Sequence, residues 1–372
     1  MLEASDDVVD GDSARLARQM LPSDVWDYLQ GGAGEELTVA ANEAAFSSTD
    51  LRPRVLVDVS QRVASTTLVG SRLDAPLGVA PIAYQRLFHP LGELAVARAA
   101  GSEGLLMVVS AFASSTLEEI AEVASGPLWF QLYGFRDRGL TARLAQRAQA
   151  AGYEALVLTV DCPVMGRRPR DVRNGFHLPA SIHPANLGRA IPSLYQAATG
   201  HSALAQATND VVDPAISWRD LEEIRESTSL PLILKGVMTG EDARRAVEAG
   251  VSAIVVSNHG GRQLDGVAAS LDALPEVVAS AGGGCEVLLD GGVRHGSDVL
   301  RALALGARAV LVGRPVAWGL ASAGQAGVGE TLQRFKQELD AAMALCGCPT
   351  VQDAGPWLVR QSSRKPERLR PL

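Results

Sequence analysis

The chain has 372 residues, 47% of them hydrophobic, only 5% aromatic and 37 of them glycine, a balance that suits a compact, helix-rich α/β protein with an ample core. A net charge of −8 with acids and bases interspersed leaves no basic footprint for nucleic acid and no polybasic patch for a membrane surface. No apolar run approaches the ~18 residues of a membrane span, and the acidic N-terminus (Glu3, Asp6, Asp7, Asp10, Asp12) lacks the features of a signal peptide.

Ahead of residue 71 no buried strand is evident, and helices are expected there, closing one end of the fold and reaching around it. From there on, short apolar runs recur, each followed by a turn and a helix-like segment. They are Pro76 to Ala80, Leu105 to Val109, Leu128 to Leu132, Ala155 to Val160, Pro231 to Leu234, Ala253 to Val256, Glu286 to Leu289 and Arg308 to Val312. Amphipathic stretches lie between them, such as Gly92 to Ala100, Thr141 to Ala151, Gly240 to Ala249 and Ser297 to Leu305, with Ala or Leu at helical spacing. Strand–helix alternation predicts a parallel sheet, and eight repeats predict a closed (β/α)8 TIM barrel. One spacing is exceptional: 163–230 holds Gly, Pro, His and Ala in no clear period. It follows the fourth strand, on the barrel's active face, and is expected to form a loop or lid. Residues 316–372 read as further helices and a polar tail, and 1–372 as a single domain with a helical extension at 1–70. The cysteines at 162, 285, 346 and 348 make a poor disulfide framework, so a reduced, cytoplasmic setting is expected. Cys346-Gly-Cys348 has no second ligand pair, and no metal is expected there.

In a TIM barrel, side chains at the C-terminal strand ends face the site. Those ends carry Gln131 and Tyr133, Thr159 and Asp161, Lys235, then Ser257, His259 and Arg262, Asp290 and Arg294, and finally Gly313 and Arg314. The loops Asp290 to Arg294 and Val312 to Pro315 follow strands seven and eight, where glycine-rich backbone, a helix N-terminus and arginines suit a phosphate. Lys235 is placed to hold developing negative charge. His259, beside Arg262, is the preferred proton acceptor, and Asp161 can orient its imidazole.

Ser257-Asn-His-Gly-Gly-Arg-Gln-Leu-Asp265 resembles the signature of the FMN-dependent L-2-hydroxy-acid oxidase and dehydrogenase family, which includes glycolate oxidase, lactate oxidase and mandelate dehydrogenase. The likeness runs nearly end to end, from Leu21-Pro-Ser-Asp-Val-Trp-Asp-Tyr28 through Asn42 and Leu51-Arg-Pro-Arg54 to Gly313-Arg-Pro315. The segment Ala83-Tyr-Gln-Arg-Leu-Phe-His-Pro90 is similar in particular to 4-hydroxymandelate oxidases. This resemblance implies oxidation of an L-(S)-2-hydroxy acid to the 2-oxo acid, with O2 or another acceptor reoxidising FMN. It implies that Tyr28, Arg168 and Arg262 hold the substrate carboxylate, Tyr133 bonds its hydroxyl, and His259 takes a proton with Asp161 behind it. FMN would lie among the backbone at Ala83, Ser110, Gln131, Thr159, Lys235, Ser257, Asp290, Gly292, Arg294, Gly313 and Arg314.

Two positions depart from relatives. Phe112 stands where some have Trp, and Tyr84 where several have a smaller side chain. With Met165 and the lid, they are expected to shape a pocket for a larger, aromatic R group. No haem-binding segment precedes the barrel, which points away from a built-in cytochrome acceptor. Family members are often tetramers, so a homo-oligomer is expected. Two other readings stay open on the sequence: an isomerase or lyase using the same flavin without net redox, and a non-catalytic phosphate-binding barrel.

Overall fold

The computed structural model of the protein describes residues 10–188, 194 and 202–362. The acidic residues before 10 and the polar tail after 362 lie outside them, as do 189–193 and 195–201 of the expected lid. The eight expected runs form the eight parallel strands of a closed barrel. In order they are β1 (Leu77–Val79), β2 (Leu106–Ser110), β3 (Leu128–Leu132), β4 (Ala155–Thr159), β5 (Leu232–Val237), β6 (Ala253–Val256), β7 (Glu286–Asp290) and β8 (Ala309–Val312). β8 pairs with β1 to close the ring, Val310 opposite Leu77.

Nearly every strand residue is buried, because helices cover the outer face and side chains fill the inner one. The two-residue period of a strand then decides which residues meet which neighbours. Leu106, Val108, Trp129, Ala155, Val157, Ile233, Ala253, Val255, Leu288, Ala309 and Leu311 pack together as the barrel's interior. Their alternates, among them Met107, Val109, Phe130, Leu156 and Ile254, pack with the surrounding helices.

Helices follow the strands in turn: α4 (Gly92–Ser102), α5 (Leu117–Val123), α6 (Arg138–Ala150), α9 (Asp220–Glu226), α10 (Gly240–Glu248), α11 (Ser270–Ala281), α12 (Gly296–Ala304) and α13 (Arg314–Cys346), the last broken by a kink at Ala323 and Gly324, where the backbone is not helical. Several begin where the sequence supplies a cap. Thr116 and Glu119 form a reciprocal capping box on α5, and Thr239 accepts from the Asp242 amide on α10.

Within the expected loop or lid, 163–230, lie α7 (Pro169–Asn174), α8 (Ala203–Val211) and α9, the last being the barrel's own fourth helix. One expectation needs correction: helices do not close the far end of the barrel. Between the N-terminal helices α1 (Asp10–Met20), α2 (Ser23–Gln30) and α3 (Leu37–Ser47) and strand β1 lies a hairpin, Thr66–Leu68 paired with Ser71–Leu73. Its Leu68 and Leu73 plug the interior beneath Leu106, Trp129 and Ala309. Polar bonds fix it: the Val69 amide donates to Glu286 at 2.8 Å, and Trp129 Nε1 donates to Ser71 Oγ at 3.1 Å. α1 instead packs against α13, while α2 and α3 reach the opposite, C-terminal face. The segment after α3 joins the C-terminal part of the described chain where Thr49–Leu51 pairs antiparallel with Val359–Gln361.

Candidate active site

The alternation that fills the barrel also builds its mouth. One step of two beyond the interior layer, seven of the eight strands present a polar residue or glycine, Ser110, Gln131, Thr159, Lys235, Ser257, Asp290 and Gly313, and β1 alone presents Ala80. All of these but Gly313 are buried. A further step of two gives Phe112, Tyr133, Asp161 and His259. A cavity opens over this layer, enclosing about 1190 Å³ with its mouth included. Of the residues expected in the site, Asp161 and Ser257 sit behind its wall; all the others line it, including Tyr28, Ala83, Arg168, Arg262, Gly292, Arg294 and Arg314.

His259 is held by two partners. Its Nδ1 lies 3.1 and 3.2 Å from the two Asp161 carboxylate oxygens, and its backbone amide donates to Ser257 Oγ at 3.1 Å. Its backbone is left-handed, φ +60°, which costs a non-glycine residue about 1–3 kcal/mol and is characteristic of functional positions. Burial lowers the His259 pKa below its ordinary value, and Lys235 adds to this, against the pull of Asp161. Burial would raise the Asp161 carboxyl, but His259 and Lys235 outweigh it and hold it below the usual range. A neutral imidazole with its Nδ1 proton towards a carboxylate keeps Nε2 as a proton acceptor. Asp161 fits where it does because Gly236, at φ +111°, has no Cβ; one would stand 2.7 Å from the Asp161 Cβ.

Lys235 Nζ lies 3.1 Å from Asp290 and 3.0 Å from Ser257 Oγ. Burial alone would lower its pKa, but Asp290 and Asp161 raise it, so the ammonium persists. Around it, Ser110 Oγ donates to Gln131 Oε1 at 3.2 Å.

Cations gather on the side of the N-terminal helices. Arg262 donates through Nη1 to the carbonyls of Tyr28 and Gly31, both at 2.8 Å, and its guanidinium lies 5.2 Å from the Tyr28 ring centre. Tyr28 in turn stacks on Phe176 at 4.8 Å. Burial, reinforced by Arg168, pushes Arg262 down to about 10. Arg314, which donates to Gly260 O at 3.0 Å, is pushed down to about 9 by burial and by Arg262 and Arg294. Arg294 is better compensated, with Glu43 at 2.6 Å. Burial also lifts the Tyr133 hydroxyl well above its ordinary range, so it stays protonated.

These residues fit an anionic, polar cofactor such as FMN. Among the described residues, the cavity-lining Asp290 Oδ1, Arg168 Nε and Arg314 Nε are buried polar atoms with no protein partner. Such orphans are costly unless a ligand meets them. Gly292, at φ +83°, passes so close to Asn42 that a Cβ would stand 2.3 Å from its carbonyl oxygen, which brings bare backbone to the cavity beside Arg294.

Sequence reasoning named neither Leu204 nor Thr208 of α8, which line the cavity with Met165, Tyr84 and Phe88. The buried set Leu204, Ala207 and Thr208 at helical spacing was the available signal. It also passed over the contacts that dock α3 to the site, Asn42 with Asn258 and Glu43 with Arg294. Among the described residues, no helix is long and apolar enough to cross a membrane.

Residues 17–361 match the model of a family described as FMN-dependent dehydrogenase. Among curated relatives, an L-lactate oxidase of Nostoc sp. is 53% identical over 347 residues, covering 91% of this chain and 94% of the relative. A 4-hydroxymandelate oxidase of Amycolatopsis orientalis is 50% identical over 340 residues, covering 91% and 94%. A crystal structure of mandelate oxidase with (S)-4-hydroxymandelic acid superposes with a TM-score of 0.92 at 48% identity, covering 95% of this chain and 98% of that one.

Proposed function

Because the chain belongs to the FMN-dependent dehydrogenase family and is an FMN-dependent 2-hydroxy-acid oxidase or dehydrogenase, turning an L-2-hydroxy acid into the 2-oxo acid, we propose how its residues divide that work and which acid and acceptor they take. The observation that carries the assignment is the His259–Asp161 pair, 3.1 Å apart, beside a cavity that Arg168, Arg262 and Tyr133 also line.

In this reading Arg168, Arg262 and Tyr28 hold the substrate carboxylate, and Tyr133 bonds its hydroxyl. His259 Nε2 accepts the substrate proton: from the hydroxyl where hydrogen leaves Cα as hydride, from Cα where it leaves as a proton. Asp161 fixes the tautomer and stabilises the imidazolium that results. Gln131, Ser110, Thr159 and the Ala83 backbone hold the flavin ring system and ribityl chain. Ser257, expected to touch the flavin, lies behind the wall and acts through Lys235 and His259, whose Nζ and backbone amide both bond its Oγ. Arg294, Arg314, Gly292 and Gly313 hold the phosphate, and Lys235 compensates negative charge at its ring. FMN, when bound, takes up the two electrons, and the protein supplies orientation and electrostatics.

The substrate is an aromatic 2-hydroxy acid of the mandelate or 4-hydroxymandelate kind. Tyr84, Phe88, Phe112, Met165 and Leu204 give the cavity the apolar wall such a ring needs. Likeness to a 4-hydroxymandelate oxidase and to a mandelate oxidase structure supports this. O2 is the acceptor, as the relatives' description as oxidases suggests. The same description gives no support to a flavin isomerase or lyase. The proposal extends to one catalytic unit over 1–372, a lid drawn from 163–230, a homo-oligomer, and a cytoplasmic location, which four free cysteines favour.

The test is an anaerobic absorbance spectrum of the flavin-loaded enzyme before and after L- and D-forms of lactate, mandelate and 4-hydroxymandelate, and glycolate. Fast bleaching by L-mandelates ahead of lactate and glycolate is expected, with H2O2 formed on admitting air. Preference for glycolate would overturn the aromatic assignment, and slow reoxidation in air would overturn O2 as acceptor.

A further inference from the structure

We propose that Asp161, Cys162 and His259 form a capture site for one thiophilic divalent cation of the Zn2+ and Cd2+ class, and that filling it stops turnover. The inhibitory half rests on the proton-accepting role given to His259 above. Cys162 has no part in that role: it is buried and lies outside the cavity lining. Yet its Sγ sits 3.5 Å from His259 Nδ1 and 3.3 Å from Asp161 Oδ1, while Nδ1 and Oδ1 are 3.1 Å apart. Around a tetrahedral zinc with ordinary bond lengths, sulfur and nitrogen stand about 3.6 Å apart, sulfur and oxygen about 3.6 Å, and nitrogen and oxygen about 3.4 Å. The three donors already occupy one face of such a tetrahedron, contracted by about 0.3 Å or less.

The face is preorganised. Asp161 and Cys162 are adjacent just past β4, and Asp161 occupies the space left by the missing Gly236 Cβ. Gln263 Nε2 donates to the carbonyls of Asp161 and Val164, both at 3.0 Å, and clasps the turn that carries both donors. The donor set also selects the metal. Lys235 and Arg168 are both near enough to act electrostatically on the thiol, and oppose a cation held by charge alone. Mg2+ and Ca2+ are hard ions that favour all-oxygen shells, for which a sulfur and an imidazole nitrogen are poor ligands. One sulfur, one imidazole nitrogen and one carboxylate oxygen suit a softer ion that bonds to sulfur.

Capture has a defined proton balance. The Cys162 thiol gives its proton to solvent and becomes the sulfur ligand. The neutral His259 ring binds metal through the Nδ1 lone pair, so its single proton moves to Nε2. Nε2 then carries hydrogen and cannot accept the substrate's proton. Asp161, now a metal ligand, no longer holds the productive tautomer.

The experiment titrates the FMN-loaded enzyme with CdCl2, then ZnCl2, with MgCl2 in parallel. Ultraviolet thiolate-to-cadmium absorbance is followed without substrate, and turnover is measured on the same samples. One equivalent of Cd2+ is expected to raise the absorbance and abolish turnover in step, with a chelator reversing both and Mg2+ doing neither. Cys162→Ala should turn over normally, lose the absorbance change, and need on the order of 100-fold more cation for inhibition, its sulfur donor being gone. Cys162→Ser keeps size and polarity, and retained flavin absorbance in either variant shows that it folds. An absorbance change that persists in both variants, or equal inhibition of variant and parent, overturns the site. A Cys162-dependent signal with unimpeded turnover leaves the cation bound but overturns the inhibition through His259.

Discussion

Asn42 and Asn258 exchange side-chain amide hydrogen bonds, each donating to the other at 2.8 Å, across 216 residues of sequence. Through this pair helix α3 holds the residue immediately before His259. Asn42 Oδ1 also accepts from the Ser270 amide at 3.1 Å, so one side chain ties the extension to the loop and to α11. Asn42→Ala leaves the buried Asn258 amide and the Ser270 N–H short of partners. A loss of about 1–3 kcal/mol in unfolding free energy is expected. Turnover should fall as well, because the His259 loop loses an anchor. Denaturant unfolding and steady-state kinetics on the same preparation check both, and an unchanged midpoint would show that solvent replaces the pair.

His259→Gln should keep yellow, bound flavin and lose turnover by about 10²–10⁴-fold, the usual share of a general base. The pH profile follows from the direction of its shift. Burial lowers the His259 pKa, so the accepting, neutral form dominates above a value below the ordinary 6.5. In the parent enzyme kcat/KM should therefore climb with pH through an acid limb on that side of 6.5 and level off at neutrality. The limb should vanish from the residual activity of the Gln variant. A limb that survives there belongs to another group.

Arg262 spends Nη1 on the carbonyls of Tyr28, Leu29 and Gly31, while its Nη2 has no protein partner among the described residues. Carbonyls that anchor one nitrogen leave the other free for a carboxylate. Lysine keeps the charge but has a single nitrogen for both tasks. Arg262→Lys is expected to raise KM for the hydroxy acid and lower kcat/KM by about 10–100-fold, the worth of one charged hydrogen bond of about 1.5–3 kcal/mol. An unchanged KM would remove Arg262 from carboxylate binding.

Arg314 is pushed down to about 9 by burial and neighbouring arginines, which marks a guanidinium in want of an anion. Arg314→Met should weaken FMN by roughly 10–100-fold while leaving the affinity for riboflavin, which has no phosphate, nearly as it was. Fluorescence titration of the apoprotein with the two flavins separates the cases. Equal losses would mean that the arginine supports the pocket's shape rather than a phosphate.

The barrel was legible because strand burial is nearly complete and the runs are apolar from end to end; all eight lie within a few residues of their expected positions. The chemistry at its mouth was legible for a related reason: two-residue alternation carries on past the interior layer, so the strand-end residues fall on one face. Spacing along the chain does not report depth, however, so Asp161 and Ser257 look no different in sequence from residues lining the cavity. The Asn42–Asn258 pair was out of reach because neither strand nor helix periodicity encodes a contact between a helix and a distant loop. α8 was lost in a segment whose Gly, Pro and His content outweighed the short stripe Leu204, Ala207 and Thr208. The hairpin was missed because strands of three residues show too little alternation to register.

That hairpin separates stability from catalysis. Leu73 is only 1% exposed and packs inside the end of the barrel opposite the site. Leu73→Ala removes buried methyl groups from a position that β-strands on all sides keep from collapsing, so transfer and cavity costs both apply. The expected loss is about 2–5 kcal/mol in unfolding free energy. The folded variant should nonetheless bind FMN and turn over as the parent does, since the polar layer at the opposite end is untouched. Denaturant unfolding with kinetics at low temperature checks this. A large fall in kcat with the flavin still bound would mean that packing at the closed end reaches the site through the barrel's interior.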